Sequence, residues 1–378
     1  MKLFKLNFAS LLIMVCFVLT TTGLSQTQKE GSFTVSSGDK LDVSIRQGNI
    51  NITAGAGSQV KILAKNIEED ELKLLTMEQK SGIVEINFRG EDSDDFELEL
   101  TIPSEINLDI STGGGNIAVK GDLKGTVEAS SGGGNITAEN IFGKTDFSTA
   151  GGNVSVRDIN GDADLSSAGG DMKAGVINGN ADISTAGGNI SVNSINKLAD
   201  ISTAGGNISI GKVGGKIEAS TAGGDVNVSE VYGSAKLSTA GGNINLDSAG
   251  GEVEASTAAG NINLKNIKGA VEASTAAGNI YAELYQNTNM QSELNSAVGN
   301  ITLKVPGNIK AIIIARLSLG AWGDSDEALE HIKSDFNSTE VNIRGDKRQV
   351  EVIYKLNGGG PTIELNAAMG EIDIKKMN

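Results

Sequence analysis

A short pattern of apolar and polar residues repeats through the middle of the chain. With an asparagine as position zero, one unit runs from Asn207 to Gly224, and its apolar residues fall at offsets 1, 3, 6, 10 and 12. The pairs at 1 and 3 and at 10 and 12 alternate with polar residues, which is typical of short strands with one buried face. Glycines between the pairs favour turns, because glycine tolerates positive φ and close backbone approach. The pattern therefore predicts strands and turns.

The repeat has a nearly constant length. The asparagine or aspartate that begins each unit recurs in eight successive 18-residue steps, preceded by one step of 19 and followed by one of 21. A unit this short cannot bury its apolar face alone, so we expect the units to stack at the inter-strand spacing of about 4.8 Å. These positions are 116, 135, 153, 171, 189, 207, 225, 243, 261, 279 and 300.

Stacking brings identical offsets together in ladders along the molecule. At offset 1, for example, Ile190 and Ile208 would be followed by Val226 and Ile244. We therefore predict an all-β fold, a single-stranded parallel β-helix (β-solenoid) of 18-residue coils with irregular β caps. The rule for parallel crossover connections favours right-handed winding, although left-handed solenoids also use 18-residue coils.

Two polar series need a physical role. The asparagines at position zero are predicted to hydrogen-bond to one another and to turn backbone. The rival interpretation is calcium binding, but only Asp171 and Asp225 bring a carboxylate to this level, and neutral amides are weak ligands for calcium. The threonines at offset 14 share the buried side with offsets 10 and 12, which favours an internal ladder over an ice-binding face. They are Thr185, Thr203, Thr221, Thr239, Thr257 and Thr275.

The first residues have the pattern of a signal peptide. Lys2 and Lys5 precede an apolar core, Leu11–Leu19, and small residues follow. The core is shorter than the roughly 20 residues of a membrane span. We expect export to the periplasm, the cell surface or the medium, and no membrane span in the mature chain. Removing the leader would also remove the only cysteine, Cys16.

Prolines mark where the regular pattern changes. Pro103 and Pro306 flank the repeats, and proline cannot donate a hydrogen bond to a β-ladder. The segments outside them still alternate as strands do, for example Lys40–Ile45 and Ala311–Ala315. The predicted organisation is a signal peptide (1–25), an N-terminal β cap with early coils (26–104), regular repeats (105–305) and a C-terminal β cap (306–378).

The charge of the chain restricts its partners. The net charge is −16, and −18 once Lys2 and Lys5 are removed (29 basic and 47 acidic residues), so we expect no binding to nucleic acid. The acidic balance serves solubility, or offers a surface to basic or cation-bridged partners. At offset 11 an outward acidic row is expected, interrupted by Lys236; its members are Glu218, Glu254 and Glu272.

Candidate chemistry is sparse. The single histidine, His331, stands in a polar stretch without a cysteine partner or a zinc-type cluster. The outward glutamates would suit a β-helical polysaccharide-active enzyme only if two stood about 5 to 9.5 Å apart in an irregular site, and the array is regular. We therefore predict no enzymatic activity, no catalytic, cofactor-binding or metal-binding residues, and no cofactor.

Several motifs together resemble a known family. They are a strand ending at Leu100–Pro103, iterated STAGGNI units, the Asn357–Pro361 segment and the GEIDI ending at Gly370–Ile374. The chain is similar to the bacterial putative-adhesin family of β-strand-repeat proteins, which is related to the heads of autotransporter-like adhesins. The resemblance implies an exported, non-catalytic module for adhesion or surface binding, with a glycan or a surface protein as partner. The alternative is a structural envelope scaffold that self-associates.

Overall fold

The computed structural model describes residues 18–19, 27–90, 95–285, 290–318, 325–344 and 349–377. Of the predicted signal peptide (1–25), only Val18–Leu19 falls within these residues. The chain forms two compact units, Met1–Gly134 and Asn135–Asn378. Each unit has two sheets, here called its first and second sheet.

The first unit contains eleven strands among its described residues, with one short 3-10 helix at Leu72–Leu74. They are β1 (Val18–Leu19), β2 (Thr27–Thr34), β3 (Lys40–Ile45), β4 (Asn49–Gly55), β5 (Gln59–Ile67), β6 (Leu75–Lys80), β7 (Ile83–Phe88), β8 (Glu97–Pro103), β9 (Asn107–Thr112), β10 (Ile117–Lys124) and β11 (Val127–Ser131).

The first unit combines antiparallel strands with parallel stacking. Its first sheet has the order β1-β2-β5-β8-β4-β10, and the pairings from β8 onward are parallel. Its second sheet has the order β6-β7-β3-β9-β11, with one antiparallel pair, β6 and β7. Ile50, in β4, thus already pairs in parallel, with Leu98 on one side and Ile117 on the other.

The second unit contains the regular coils and the C-terminal strands. Its strands are β12 (Ile136–Phe142), β13 (Thr145–Thr149), β14 (Val154–Ile159), β15 (Ala163–Ser167), β16 (Met172–Ile177), β17 (Ala181–Thr185), β18 (Ile190–Ile195), β19 (Ala199–Thr203), β20 (Ile208–Val213), β21 (Ile217–Thr221), β22 (Val226–Val231), β23 (Ala235–Thr239), β24 (Ile244–Leu246), β25 (Val253–Thr257), β26 (Ile262–Ile267), β27 (Val271–Ala277), β28 (Ile280–Leu284), β29 (Ser292–Val298), β30 (Ile301–Pro306), β31 (Ala311–Ser318), β32 (Ile332–Ser334), β33 (Glu340–Arg344), β34 (Gln349–Leu356), β35 (Thr362–Met369) and β36 (Ile372–Met377), and its helix is α1 (Ser325–Glu330).

Every regular coil contributes one strand to each sheet. Even-numbered strands from β12 to β28 stack in parallel in the first sheet, and odd-numbered strands from β13 to β29 stack in parallel in the second. The 18-residue register pairs Ile190 with Ile208 and Ser202 with Ser220. This arrangement confirms the predicted parallel β-solenoid.

The core lies between the two sheets. In the coil that begins at Asn207, the predicted apolar offsets are occupied by side chains no more than 2% exposed. Burial of branched aliphatic side chains in unbroken ladders supplies the main favourable term in folding. These residues are Ile208, Ile210, Val213, Ile217 and Ala219.

The two glycines of each turn have different roles. A Cβ on Gly206 would lie 2.0 Å from the carbonyl oxygen of Gly188 in the preceding coil, whereas a Cβ on Gly205 would meet its nearest neighbour at 3.5 Å. The position of Gly205, the first glycine of the pair, therefore accepts alanine, and Ala259 occupies the equivalent position three coils later. Neither Gly205 nor Gly206 has positive φ. The expectation of positive φ is wrong for this pair, and close backbone approach alone requires the second glycine.

Threonine holds this turn against the coil before it. The Thr203 hydroxyl donates to the carbonyl oxygen of Gly188 (2.9 Å) and accepts the backbone N–H of Gly206 (3.3 Å). The threonines at offset 14 are 5–7% exposed, which confirms that their ladder is internal.

The stack ends in a different arrangement. In the second sheet the order continues β29-β35-β31-β34-β33, in which β31 with β34 and β34 with β33 are antiparallel. In the first sheet it continues β28-β30-β36-β32, all parallel. Helix α1 contacts β34 and β32.

Candidate binding surface

The outer face of the second sheet in the second unit carries an acidic row. Offset 11 lies between the buried offsets 10 and 12, so its side chains point away from the core. The parallel register places these side chains next to one another from coil to coil. We call this set the acidic row: Asp146, Asp164, Asp182, Asp200, Glu218, Lys236, Glu254, Glu272, Glu293 and Glu364.

Sequence analysis found only part of this row. Glu218, Glu254 and Glu272 are outward as predicted, and Lys236 does interrupt the series. The four aspartates before Glu218 were missed, although their 18-residue spacing was the available signal. Five consecutive carboxylates therefore stand in register before the first cation, about 4.8 Å from strand to strand.

Like charges opposite one another destabilise a sheet. Burial raises the pKa of the Asp182 carboxyl above its ordinary value of 3.8, and the Asp164 and Asp200 carboxylates add to the effect. The pKa of Asp146 is raised by burial and then by Asp164. The run from Asp146 to Glu218 therefore carries a net negative charge, which Lys144 beside Asp146 and Lys216 beside Glu218 offset only at its two ends.

Basic side chains meet the row at Glu218, at position 236 and at Glu364. Lys216 Nζ lies 3.8 Å from a Glu218 carboxylate oxygen, and Arg316 bonds Glu364. Lys236 Nζ contacts both carboxylate oxygens of Glu254, at 2.8 and 2.9 Å. This hydrogen bond raises the pKa of Lys236, with smaller contributions from the Glu254, Glu218 and Glu272 charges. The pair is exposed, so it contributes little to stability.

A shallow groove runs beside the aspartates. It has a volume of about 340 Å³ and lies between the side chains at offset 9 and those at offset 11. Asp164, Asp182 and Asp200 line one side. The other side includes Leu198, which is 56% exposed, and has Lys144 and Lys216 at its two ends. The groove thus offers a ligand carboxylates in its middle, some apolar surface and one ammonium group at each end, and it is open to solvent.

The outer face of the first sheet differs in charge. Its acidic side chains are paired with basic ones on neighbouring coils, so the two charges cancel locally. The pairs are Arg157–Glu139, Lys212–Glu230 and Lys265–Asp247, with N···O distances of 2.9, 3.0 and 3.2 Å. The excess of negative charge is therefore concentrated on the second sheet.

The asparagines at position zero form the predicted ladder. The Asn189 side-chain oxygen accepts the backbone N–H of Asn207 (2.9 Å), and the same contact recurs from coil to coil. Asp171 and Asp225 use a carboxylate oxygen in the same way, each accepting the next coil's backbone N–H at 2.7 Å. This series therefore ties the turns together.

A second ladder, on the opposite turn, was not predicted. The Asn196 amide donates to the Asn178 side-chain oxygen, and Asp162 accepts the backbone N–H of Asn180 (2.8 Å). The same residue types recurring once per coil were the signal that could have revealed it. Both turns of these coils are therefore held by polar ladders.

The remaining candidate for chemistry is His331. His331 Nδ1 lies 3.7 Å from a Glu371 carboxylate oxygen at the surface. Within the described residues, no group of three or more His, Cys, Asp or Glu side chains is arranged to hold a metal ion. No helix in the same part of the chain is long and apolar enough to cross a membrane.

Comparisons with known proteins identify the repeat region. The model of the DUF4097 family, described as Toastrack, matches residues 32–230 and 181–311. No curated protein matches the chain.

Several solved structures are similar to the chain. A putative adhesin from Bacteroides fragilis has 13% identity and a TM-score of 0.30, covering 67% of this chain and 98% of that one. A putative adhesin from Parabacteroides merdae has 15% identity and a TM-score of 0.32, covering 68% and 96%. A putative lipid binding protein from Parabacteroides distasonis has 12% identity and a TM-score of 0.28, covering 72% and 97%.

Proposed function

The chain belongs to the Toastrack family (DUF4097), and on that premise we propose that it is a non-catalytic adhesion or surface-binding module. It is exported, since the segment 1–25 has the pattern of a signal peptide. It presents the acidic row to a surface that carries clustered cationic groups, such as a lysine-rich face of another protein.

The observation that carries the proposal is the run of carboxylates from Asp146 to Glu218. Adjacent like charges oppose folding, and the pKa of Asp182 is raised first by burial and then by this repulsion from Asp164 and Asp200. A solubility role alone does not require the charges to stand in one line, because acids scattered over both sheets would serve equally. A cationic partner would relieve the repulsion between the carboxylates. Binding such a partner would therefore explain why the carboxylates stand in one line.

The mechanism is multivalent weak contact. Each exposed carboxylate–ammonium contact contributes about 0.2–1 kcal/mol. Contacts repeated on successive coils bind as linked events, which raises avidity by about 10²–10⁴ over a single contact. A shallow groove is sufficient for this mode of binding.

The test is binding to a sensor surface that carries a lysine-rich peptide at high or low density. The unmodified protein should bind the dense surface far more tightly than the sparse one, and salt should weaken the binding. Neutralising three acids of the row should weaken binding about tenfold, from three contacts of about 0.5 kcal/mol each. The variant is Asp164→Asn, Asp182→Asn and Asp200→Asn.

A matched variant separates the acidic row from net charge. It removes three negative charges from the outer face of the first sheet and should leave binding nearly unchanged. If it weakens binding as much as the row variant does, only net charge matters and the proposed surface is wrong. Turnover of a polysaccharide by the protein would contradict the non-catalytic assignment. The matched changes are Glu230→Gln, Asp247→Asn and Asp373→Asn.

A further inference from the structure

The second sheet of the second unit ends at an open strand. Among the described residues, β33 (Glu340–Arg344) pairs with β34 on one side and has no strand on the other. Its outer edge therefore presents backbone groups that are available to another strand.

The inner apolar layer of this sheet continues onto β33. Val341 pairs with Val352 and Ile343 with Val350, whose side chains are only 3% and 0% exposed. Val341 and Ile343 lie on the same face of the sheet, because paired residues share a face. Yet they are 46% and 48% exposed. The core layer thus ends in two half-exposed branched side chains.

By comparison, the end strand of the second sheet in the first unit has its inner-face side chains buried. There β6 (Leu75–Lys80) places Leu75 and Met77 on the inner face, at 1% and 4% exposure. The inner-face side chains of an end strand in this fold can therefore be buried. The exposure of Val341 and Ile343 is a particular property of β33.

The sequence of β33 is complementary to itself when two copies run antiparallel. Its five residues read Glu340-Val341-Asn342-Ile343-Arg344. Pairing about Asn342 sets position 340, an acid, opposite position 344, a base, and sets each Val341 opposite an Ile343. Opposite-charge and apolar cross-strand pairs each contribute about 0.2–1 kcal/mol.

We propose that β33 pairs antiparallel with β33 of a second copy of this chain, about a two-fold axis at Asn342. Such pairing joins the two second sheets into one and covers Val341 and Ile343 with their counterparts. A two-fold contact uses the same edge of both copies and leaves no free edge of that kind, so it gives a dimer and does not extend to a larger assembly. The contact is short, and we expect it to form at high protein concentration or where surface attachment concentrates the copies.

The test is sedimentation of the full chain from micromolar to millimolar concentration. The unmodified protein should pass from monomer to dimer. Ile343→Lys places a charge in the apolar contact and should raise the dissociation constant at least tenfold. Thr76→Lys, an exposed position on β6, is the matched control and should leave it unchanged. Circular dichroism establishes that each variant is folded.

Cysteine substitution tests the register independently, in a Cys16→Ser background. Asn342→Cys places the two thiols directly opposite, within the reach of a disulfide, so oxidation should give a covalent dimer. Glu340→Cys places them about 14 Å apart, at about 3.4 Å per residue, and should give none. A protein that stays monomeric, a dimer or filament that persists in Ile343→Lys, or cross-linking of Glu340→Cys in place of Asn342→Cys would each overturn the proposal.

Discussion

The regular coils and the C-terminal strands of the second unit are stabilised in different ways. In the coils, each residue meets its own equivalent on the neighbouring coil, as Ile190 meets Ile208. Among the C-terminal strands, the antiparallel pair β31 and β34 joins residues of unlike type, as in the ion pair of Arg316 with Glu351 (2.8 Å). The stability of the coils therefore depends on one turn geometry that is used repeatedly. The stability of the antiparallel C-terminal strands depends on contacts that occur once.

This difference decides where a substitution acts. In a coil, a residue such as Gly206 is constrained by the backbone of its neighbour, so no change of side-chain rotamer can relieve a clash. In the antiparallel C-terminal strands, long charged side chains bridge neighbouring strands, and the strand pairing depends on the ion pairs that they form. The two proposed binding surfaces follow the same division, since the acidic row consists of repeated positions and β33 has a sequence that occurs once.

The largest effect is expected at the second glycine of a coil turn. Gly206→Ala would set a Cβ 2.0 Å from the Gly188 carbonyl oxygen and should lower the free energy of unfolding by about 3 kcal/mol. Gly205→Ala is the control, because its Cβ meets only ordinary contacts, and should change stability by less than about 1 kcal/mol. Urea unfolding measures both. Equal losses in the two variants would show that the coils do not approach as described.

A smaller effect is expected at the C-terminal ion pair. The Glu351 side chain is 9% exposed and that of Arg316 30%, and Arg316 also bonds Glu364. Arg316→Met removes the basic partner of a mostly buried carboxylate and should destabilise the protein by about 2 kcal/mol, below the fully buried case because solvent reaches the arginine.

An exposed pair in the same region provides the control. Lys333 bonds Glu371 at 2.8 Å with side chains 56% and 37% exposed. Lys333→Met should therefore leave the thermal unfolding temperature nearly unchanged. If both substitutions have the same small effect in thermal unfolding, the Arg316–Glu351 contact does not hold the end strands together.

Sequence analysis could predict the coils because each constraint recurs at a fixed spacing. The inward offsets, the threonine ladder containing Thr203 and the asparagine ladder containing Asn207 all followed from the 18-residue period. The aspartates of the acidic row were also in that period, but only the glutamates were considered. The handedness of the winding stays a prediction.

The end strands carry no such period. Arg316 and Glu351 are 35 residues apart, and neither position repeats elsewhere. The segment Ala311–Ala315 was recognisable as a buried strand, and its residues do lie within β31, but nothing local specified that β34 would pair with it antiparallel. Long-range pairing of unlike residues depends on the assembled fold, which local patterns do not encode.

The central claim is that successive coils stack one inter-strand spacing apart, and spin-label distances test it most directly. Labels at Ser148 and at Ser220, Ser256 or Ser274, in a Cys16→Ser background, span four, six and seven coils. At about 4.8 Å per coil, pulsed dipolar spectroscopy should give about 19, 29 and 34 Å. Distances that fail to increase in this order, or a Ser148–Ser274 distance below about 20 Å, would contradict the account.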